Sequence, residues 1–225
     1  MSVVPVILAI DTSQGACSVA LGRGGDLIGS AQIMQNKGHA ESLLPMTETL
    51  LANEGLTFAD IDRIAVVIGP GAYTGVRIGV AAARGLAVAL KIPSVGVTGL
   101  HALAHACADS DGSILATVAG RGGTLFAQLF AGGEAQSEPA MMTLEAARSL
   151  QKKSNAVVVG SGRVQLGIDA SLTSEHMIDL ASVAAIAVDL VPADAPSEPM
   201  YLRDADAIIG KPVFPIGQVG DHGSA

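Results

Sequence analysis

The chain has 225 residues, of which 49% are hydrophobic, 15% charged and 3% aromatic, with a formal net charge of −8. So much apolar content with so little charge excludes a solvated, disordered chain. The net acidity repels a polyanion on average, because neutralising phosphates takes Lys and Arg, so any RNA would be gripped by another subunit.

Residues 6–10 form a continuous apolar run, which predicts a buried strand, followed by Asp11-Thr12-Ser13 and Gly15. Residues 16–21 predict a second strand, residues 22–26 a tight Gly-rich turn, and residues 27–34 a third strand, so the chain opens as an antiparallel meander. Leucines at 43, 44, 50 and 51 give residues 39–54 a helical period, with Gly55 as the stop. A strand over 61–68, the turn Gly69-Pro70-Gly71, a small-residue helix over 75–90 and a short strand over 93–97 complete the first half. In the second half, strands are predicted over 113–119, 124–130 and 138–142, a helix over 143–153, a strand over 157–159 and a helix over 181–190. The Pro-rich tail from Val191 contains Tyr201, and residues 217–225 read as frayed.

The order βββαβα is thus written twice, with a boundary near residue 100: a first lobe over 1–100 and a second over 101–225. Two such lobes are typical of the two-lobed α/β architecture shared by actin, Hsp70 and sugar kinases (ASKHA), in which the first hairpin of each lobe cradles nucleotide phosphates. Cys17 and Cys107 lie too far apart to suggest a disulfide scaffold or zinc module and read as reduced core thiols. The apolar stretches 64–90 and 177–191 are interrupted by Arg77 and Arg84 and by Asp179 and Asp189, so neither reads as a membrane span. The first basic residue is Arg23, so no basic leader region is visible. A soluble cytoplasmic chain is expected.

Three constellations could carry chemistry. Asp11-Thr12-Ser13 ends a strand and enters a hairpin, so the acid could hold a metal–nucleotide complex, or the trio could be an Asx or ST turn. The equivalent turn of the second half, Ala119-Gly120-Arg121-Gly122, has no carboxylate, which weighs against ATP hydrolysis. Gly69-Pro70-Gly71-Ala72-Tyr73-Thr74-Gly75 leads into a helix without the Gly-Lys-Ser/Thr ending of a P-loop. Gly75, Gly79, Ala82 and Ala83 form a small face there that favours close packing, inside the chain or between chains, over anion binding. On this reading Gly79→Glu should block pairing while the monomer still folds. His101 and His105 have the spacing that places two imidazoles on one helix face, as a metal pair or as two ordinary polar residues; Ala102 stands where a zinc protease helix would carry Glu.

Ile7-Leu8-Ala9-Ile10-Asp11-Thr12-Ser13, Ala16-Cys17-Ser18-Val19-Ala20-Leu21 and His39 with Leu43-Leu44-Pro45, taken with the Gly-rich segment from Gly69, together resemble the TsaB (YeaZ) family, which acts in making N6-threonylcarbamoyladenosine in tRNA. The most specific is Gly69-Pro70-Gly71-Ala72-Tyr73-Thr74-Gly75-Val76-Arg77-Ile78-Gly79, continuing through Ala83, Gly85-Leu86-Ala87 and Ile92-Pro93. Glu198-Pro199-Met200-Tyr201-Leu202-Arg203 resembles the family's closing motif. The likeness is strong over 6–103 and thin over 104–197.

The resemblance implies a non-catalytic subunit that pairs with the related catalytic subunit TsaD, which threonylcarbamoylates adenosine 37 of tRNAs reading ANN codons. A small ATPase, TsaE, joins that pair, and tRNA is met only through the complex. No catalytic residue, metal or cofactor is implied for this chain, and Asp11, Thr12 and Ser13 become a degenerate phosphate loop. Pairing, with TsaD or with a second copy, would use the two first-lobe helices. The contact residues expected are His39, Leu43, Met46, Thr47, Leu50, Arg77, Gly79, Val80, Ala83 and Arg84. The catalytic relative's metal-binding histidines would align with Gly99 and Leu103, so His101 and His105 fall out of register. The second-lobe loop also departs from the family's Asp-Ala-Arg and Gly-Glu-Val-Tyr pattern, reading Ala119-Gly120-Arg121 and Gly123-Thr124-Leu125-Phe126. The alternatives are an ATP-dependent phosphotransferase of the same fold and a metal-dependent hydrolase using His101 and His105.

Overall fold

Alternation of buried side chains in the first strand sets the layering of the molecule. The computed structural model describes residues 4–107, 112–171 and 176–202. In β1 (Val6–Asp11) every residue is buried, because the strand has helices on both sides. Val6, Leu8 and Ile10 face one cluster, formed with α1 (His39–Asn53) and α2 (Tyr73–Leu90). Ile7 and Ala9 face the other, formed with α3 (Gly99–His105) and α6 (Leu180–Asp189).

β1 pairs antiparallel with β2 (Ala16–Arg23), and β2 pairs antiparallel with β3 (Asp26–Met34), as the meander predicts. β4 (Arg63–Val67) lies parallel to β1, and β5 (Ser94–Val97) parallel to β4, giving the order β3-β2-β1-β4-β5. Parallel neighbours need crossovers, and α1 and α2 supply them.

The second sheet repeats the plan. β6 (Ser113–Ala119) pairs antiparallel with β7 (Thr124–Ala131), β9 (Ala140–Thr143) pairs antiparallel with β7, and β10 (Val157–Val159) runs parallel to β6. A two-residue strand, β8 (Glu134–Ala135), adds to the β7 edge and is not visible in the sequence pattern. Thr143 caps α4 (Leu144–Ser154) by accepting the Ala146 N–H at 3.2 Å. The counterpart of α2 shrinks to a single turn, α5 (Gly162–Gln165). Ile114, Ala116, Val118 and Phe130 turn toward α3 and α6, while Leu115, Leu125 and Val158 pack with Ala147 of α4.

The fold is therefore α/β, the duplicated two-lobed architecture of the actin, Hsp70 and sugar-kinase class. The layers run α1 and α2, first sheet, α3 and α6, second sheet, α4. Helix α6 packs across every strand of the first sheet although it follows the second in sequence. No helix among the described residues is long and apolar enough to cross a membrane. Arg203 and the tail 217–225 lie outside the described residues.

Candidate functional site

The end of β1 meets the start of α2. The Thr12 hydroxyl donates to the Gly75 carbonyl at 2.7 Å, and the Ala72 N–H donates to the Ser13 carbonyl at 2.7 Å. The Ser13 N–H donates to Asp11 Oδ1 at 2.7 Å, closing an Asx turn. A β-carbon on Gly75 would collide with the Thr12 carbonyl oxygen, and one on Gly79 would lie 2.7 Å from Thr12 Oγ1. The small face of α2 is thus the seat of this chain's own Asp-Thr-Ser loop. The expectation that Gly79→Glu spares the monomer is corrected: the new side chain would enter the core.

Asp11 is only 2% exposed. Burial pushes its carboxyl above the ordinary value of 3.8, against the opposing effects of the Ser13 hydrogen bonds and the His39 charge. Burial, with the Asp11 charge second, pushes the Cys17 thiol up to about 11. His39 Nε2 is buried and has no hydrogen-bond partner among the described residues. In the second lobe the β6–β7 hairpin closes on itself. The Gly120 N–H donates to the Thr124 carbonyl at 3.1 Å, and the Gln165 side chain donates to the Gly120 carbonyl at 2.7 Å. No carboxylate stands in that turn, so the second hairpin supplies no acid to match Asp11.

His101 stacks on Phe130 with ring centroids 5.9 Å apart. Burial, then the charge of His105, holds its imidazole below the ordinary histidine range. No group of three or more His, Cys, Asp or Glu that could hold a metal is brought together among the described residues.

The ten residues expected at a partner contact divide sharply. His39, Leu43, Met46, Thr47 and Leu50 of α1, and Gly79, Val80 and Ala83 of α2, are interior to this chain. Arg77 and Arg84 are exposed. The correction has a simple cause: the apolar period of an amphipathic helix marks the face turned to its own sheet. What α1 and α2 present outward is a different set. Leu44 is 45% exposed, Tyr73 49% and Val88 80%, and Glu41, Pro45 and Glu48 are exposed beside them. Beside α1 and the edge strand β3 lies a groove of about 490 Å³, lined by Ile33, Ser42, Pro45, Met46 and Thr49 among others.

The sequence reading missed Leu44, Tyr73 and Val88, although a helical wheel of α2 puts Tyr73, Arg77, Arg84 and Val88 on one side. It also missed that Tyr201 reaches Arg77: its hydroxyl accepts the Arg77 Nε–H at 2.8 Å. That bond, ahead of other effects, raises the Arg77 pKa.

A family model described as "TsaD: tRNA N6-adenosine threonylcarbamoyltransferase" matches residues 32–162. The chain is 31% identical over 223 residues to the tRNA threonylcarbamoyladenosine biosynthesis protein TsaB of Haemophilus influenzae, covering 88% of this chain and 93% of the relative. It is 37% identical over 122 residues to TsaB of Escherichia coli, a match spanning 52% of that protein, or about half its length. Among solved structures, YeaZ from Pseudomonas aeruginosa superposes with a TM-score of 0.70 at 30% identity, covering 88% of this chain and all of that one (100%).

Proposed function

The chain belongs to the TsaB family, and from that premise we propose that it is the non-catalytic partner subunit in forming N6-threonylcarbamoyladenosine at position 37 of tRNAs reading ANN codons. It pairs with a TsaD-type catalytic subunit in the cytoplasm, and a TsaE-type ATPase joins through the complex. The pairing surface is the outward side of α1 and α2 in the first lobe, residues 1–100, onto which α6 and the segment after it fold back from the second lobe. A second copy of the chain competes for the same face.

One observation carries this reading. Two adjacent helices expose Leu44, Tyr73 and Val88 together with Arg77 and Arg84, whereas the loop that would hold nucleotide in a phosphotransferase is sealed by α2. Exposed apolar side chains interleaved with charge on one face are the ordinary composition of a protein contact. The net charge of −8 leaves the gripping of tRNA to another subunit.

The test is a reconstituted reaction containing the cognate TsaD-type subunit, the ATPase, the adenylate-forming enzyme and tRNA, with and without this chain. Threonylcarbamoyladenosine should form only when the chain is present. Equal product without it sinks the functional reading.

A further inference from the structure

After α6 the chain returns to the first sheet. The Gly96 N–H donates to the Ala195 carbonyl at 2.9 Å, and the Met200 N–H donates to the Ile68 carbonyl at 2.8 Å. These main-chain bonds tie the returning segment to the ends of β4 and β5 and deliver Tyr201 to the first turns of α2. There the Arg77 guanidinium carbon sits 3.8 Å above the Tyr73 ring centroid and 5.6 Å from that of Tyr201. The two rings lie 5.5 Å apart, tilted by 36°.

An exposed arginine ordinarily samples many rotamers and loses that freedom when it binds. Arg77 has already lost much of it, through the Nε bond to Tyr201 and the stack on Tyr73. The bond to Tyr201 uses Nε alone; both Nη groups make no hydrogen bond among the described residues. No carboxylate among them lies within ion-pair distance of Arg77. Helix α2 contains no acid at all and carries its second arginine, Arg84, seven residues on, two turns along the same side. On a chain of net charge −8, this is a cationic stripe with an ordered guanidinium at its head.

We propose that Tyr73, Arg77 and Tyr201 form a carboxylate-binding anchor for the partner protein, in which Tyr201 is a positioning residue that holds Arg77 edge-on to an acidic side chain. The proposal rests on the reading that the chain pairs through α1 and α2. A planar guanidinium fork matches a carboxylate in two-point contact, and aromatic residues with arginine dominate the energetic centres of interfaces. A phosphate would fit the same fork, but the overall acidity of the chain opposes a polyanion.

The test titrates the full chain against the cognate TsaD-type subunit, comparing wild type with R77M, R77K, Y201F and the R77M/Y201F double variant. R77M should weaken association roughly 10-fold or more, with R77K losing part of that because it keeps charge but not the fork. Y201F keeps the ring and loses only the acceptor; it should weaken association about 3-fold. In the R77M background Y201F should add nothing, because Tyr201 acts through Arg77. The affinity of wild type should fall more steeply with salt than that of R77M. Melting temperatures of the isolated variants should match wild type, since these side chains are exposed.

Wild-type affinity in R77M or R77K sinks the anchor while leaving the pairing reading intact. Additive losses in the double variant overturn the positioning role of Tyr201. A loss of tRNA affinity by isolated R77M, with partner affinity unchanged, assigns the fork to phosphate and overturns the proposal. Failure of wild type itself to bind the partner sinks both the anchor and the pairing reading.

Discussion

The carbonyl oxygen of Thr12 occupies the space that a β-carbon on Gly75 would need. The Thr12 hydroxyl in turn donates to the Gly75 carbonyl at 2.7 Å, so the two main chains are in direct contact. Backbone on one side and helix on the other cannot give way as a flexible side chain would. Gly75→Ala is expected to cost about 1–3 kcal/mol or more, through overpacking and loss of the loop's hold on α2. Gly79→Glu should go further and unfold the chain, because its side chain would start 2.7 Å from Thr12 Oγ1 and be forced between Val66 and Ile10. Urea denaturation followed by circular dichroism checks both. A folded, wild-type-stable Gly79→Glu would mean that this face is not core.

Arg63, at the start of β4, binds the far end of α6. Its Nη1 donates to the carbonyls of Ala187, of Val188 at 3.1 Å and of Leu190 at 3.0 Å. Those carbonyls belong to a helix C-terminus, where the unpaired acceptors and the macrodipole both favour a cation. Because α6 packs across the first sheet and against α3, loosening it exposes the core between them. Arg63→Met should lower stability by about 1.5–3 kcal/mol, the range for hydrogen bonds to a charged group. A change within about 0.5 kcal/mol in urea unfolding, the scatter of an ordinary surface site, would show the contact to be incidental.

These two relationships mark where the sequence could be read and where it could not. Strands β1, β2 and β3 were legible because unbroken apolar runs and a Gly-rich turn have few alternatives. Their element order, repeated by β6, β7, β9, α4 and β10, pointed to the duplicated architecture. The inward sides of the helices were not separated from a contact surface. On α1, consecutive leucines at 43 and 44 satisfy the period equally, yet Leu43 is buried and Leu44 is 45% exposed. On α2 the small residues gave the right physics, close approach, but left open whether it was inside the chain or between chains; the occupant is the chain's own Thr12. Arg63 with α6, and Arg77 with Tyr201, are separated by more than 120 residues, so no local pattern announces them.

Asp169 accepts hydrogen bonds from Arg163 and, at 2.9 Å, from His176. Arg163 first, then His176, hold its carboxyl at about 2, below the ordinary 3.8. A folded-state value below the unfolded one means that the charged form is favoured in the fold. The contribution is complete above the unfolded value and is lost as pH falls through about 2. Asp169→Asn should therefore be less stable than wild type at neutral pH, and the gap should close as pH drops from about 4 toward 2. Both sides of the pair are partly solvated, so the gap is modest. Parallel acid titrations of the two proteins, read by tryptophan-free signals such as far-ultraviolet circular dichroism, check it; a gap independent of pH would remove Asp169 as the source.

Asp11 has the opposite sign. Burial raises its pKa in the fold, so the protonated form is favoured there, and its contribution to stability falls as pH rises above the ordinary value of 3.8. His39 and the Cys17 thiol are the titratable neighbours that bear on it. Asn can keep the Oδ1 acceptor for the Ser13 N–H while removing the buried charge. Asp11→Asn should then match wild type near pH 4 and exceed it at pH 7, with the difference growing through the interval between. The same variant separates the two functional readings. A subunit that works by pairing should support threonylcarbamoyladenosine formation undiminished with Asn at this position, because the loop's role is to seat α2. A phosphotransferase that holds a metal–nucleotide complex through Asp11 would lose its activity by orders of magnitude, since the neutral amide cannot replace the carboxylate as a ligand. Loss of product formation by a stable, partner-binding Asp11→Asn would overturn the structural assignment of this acid.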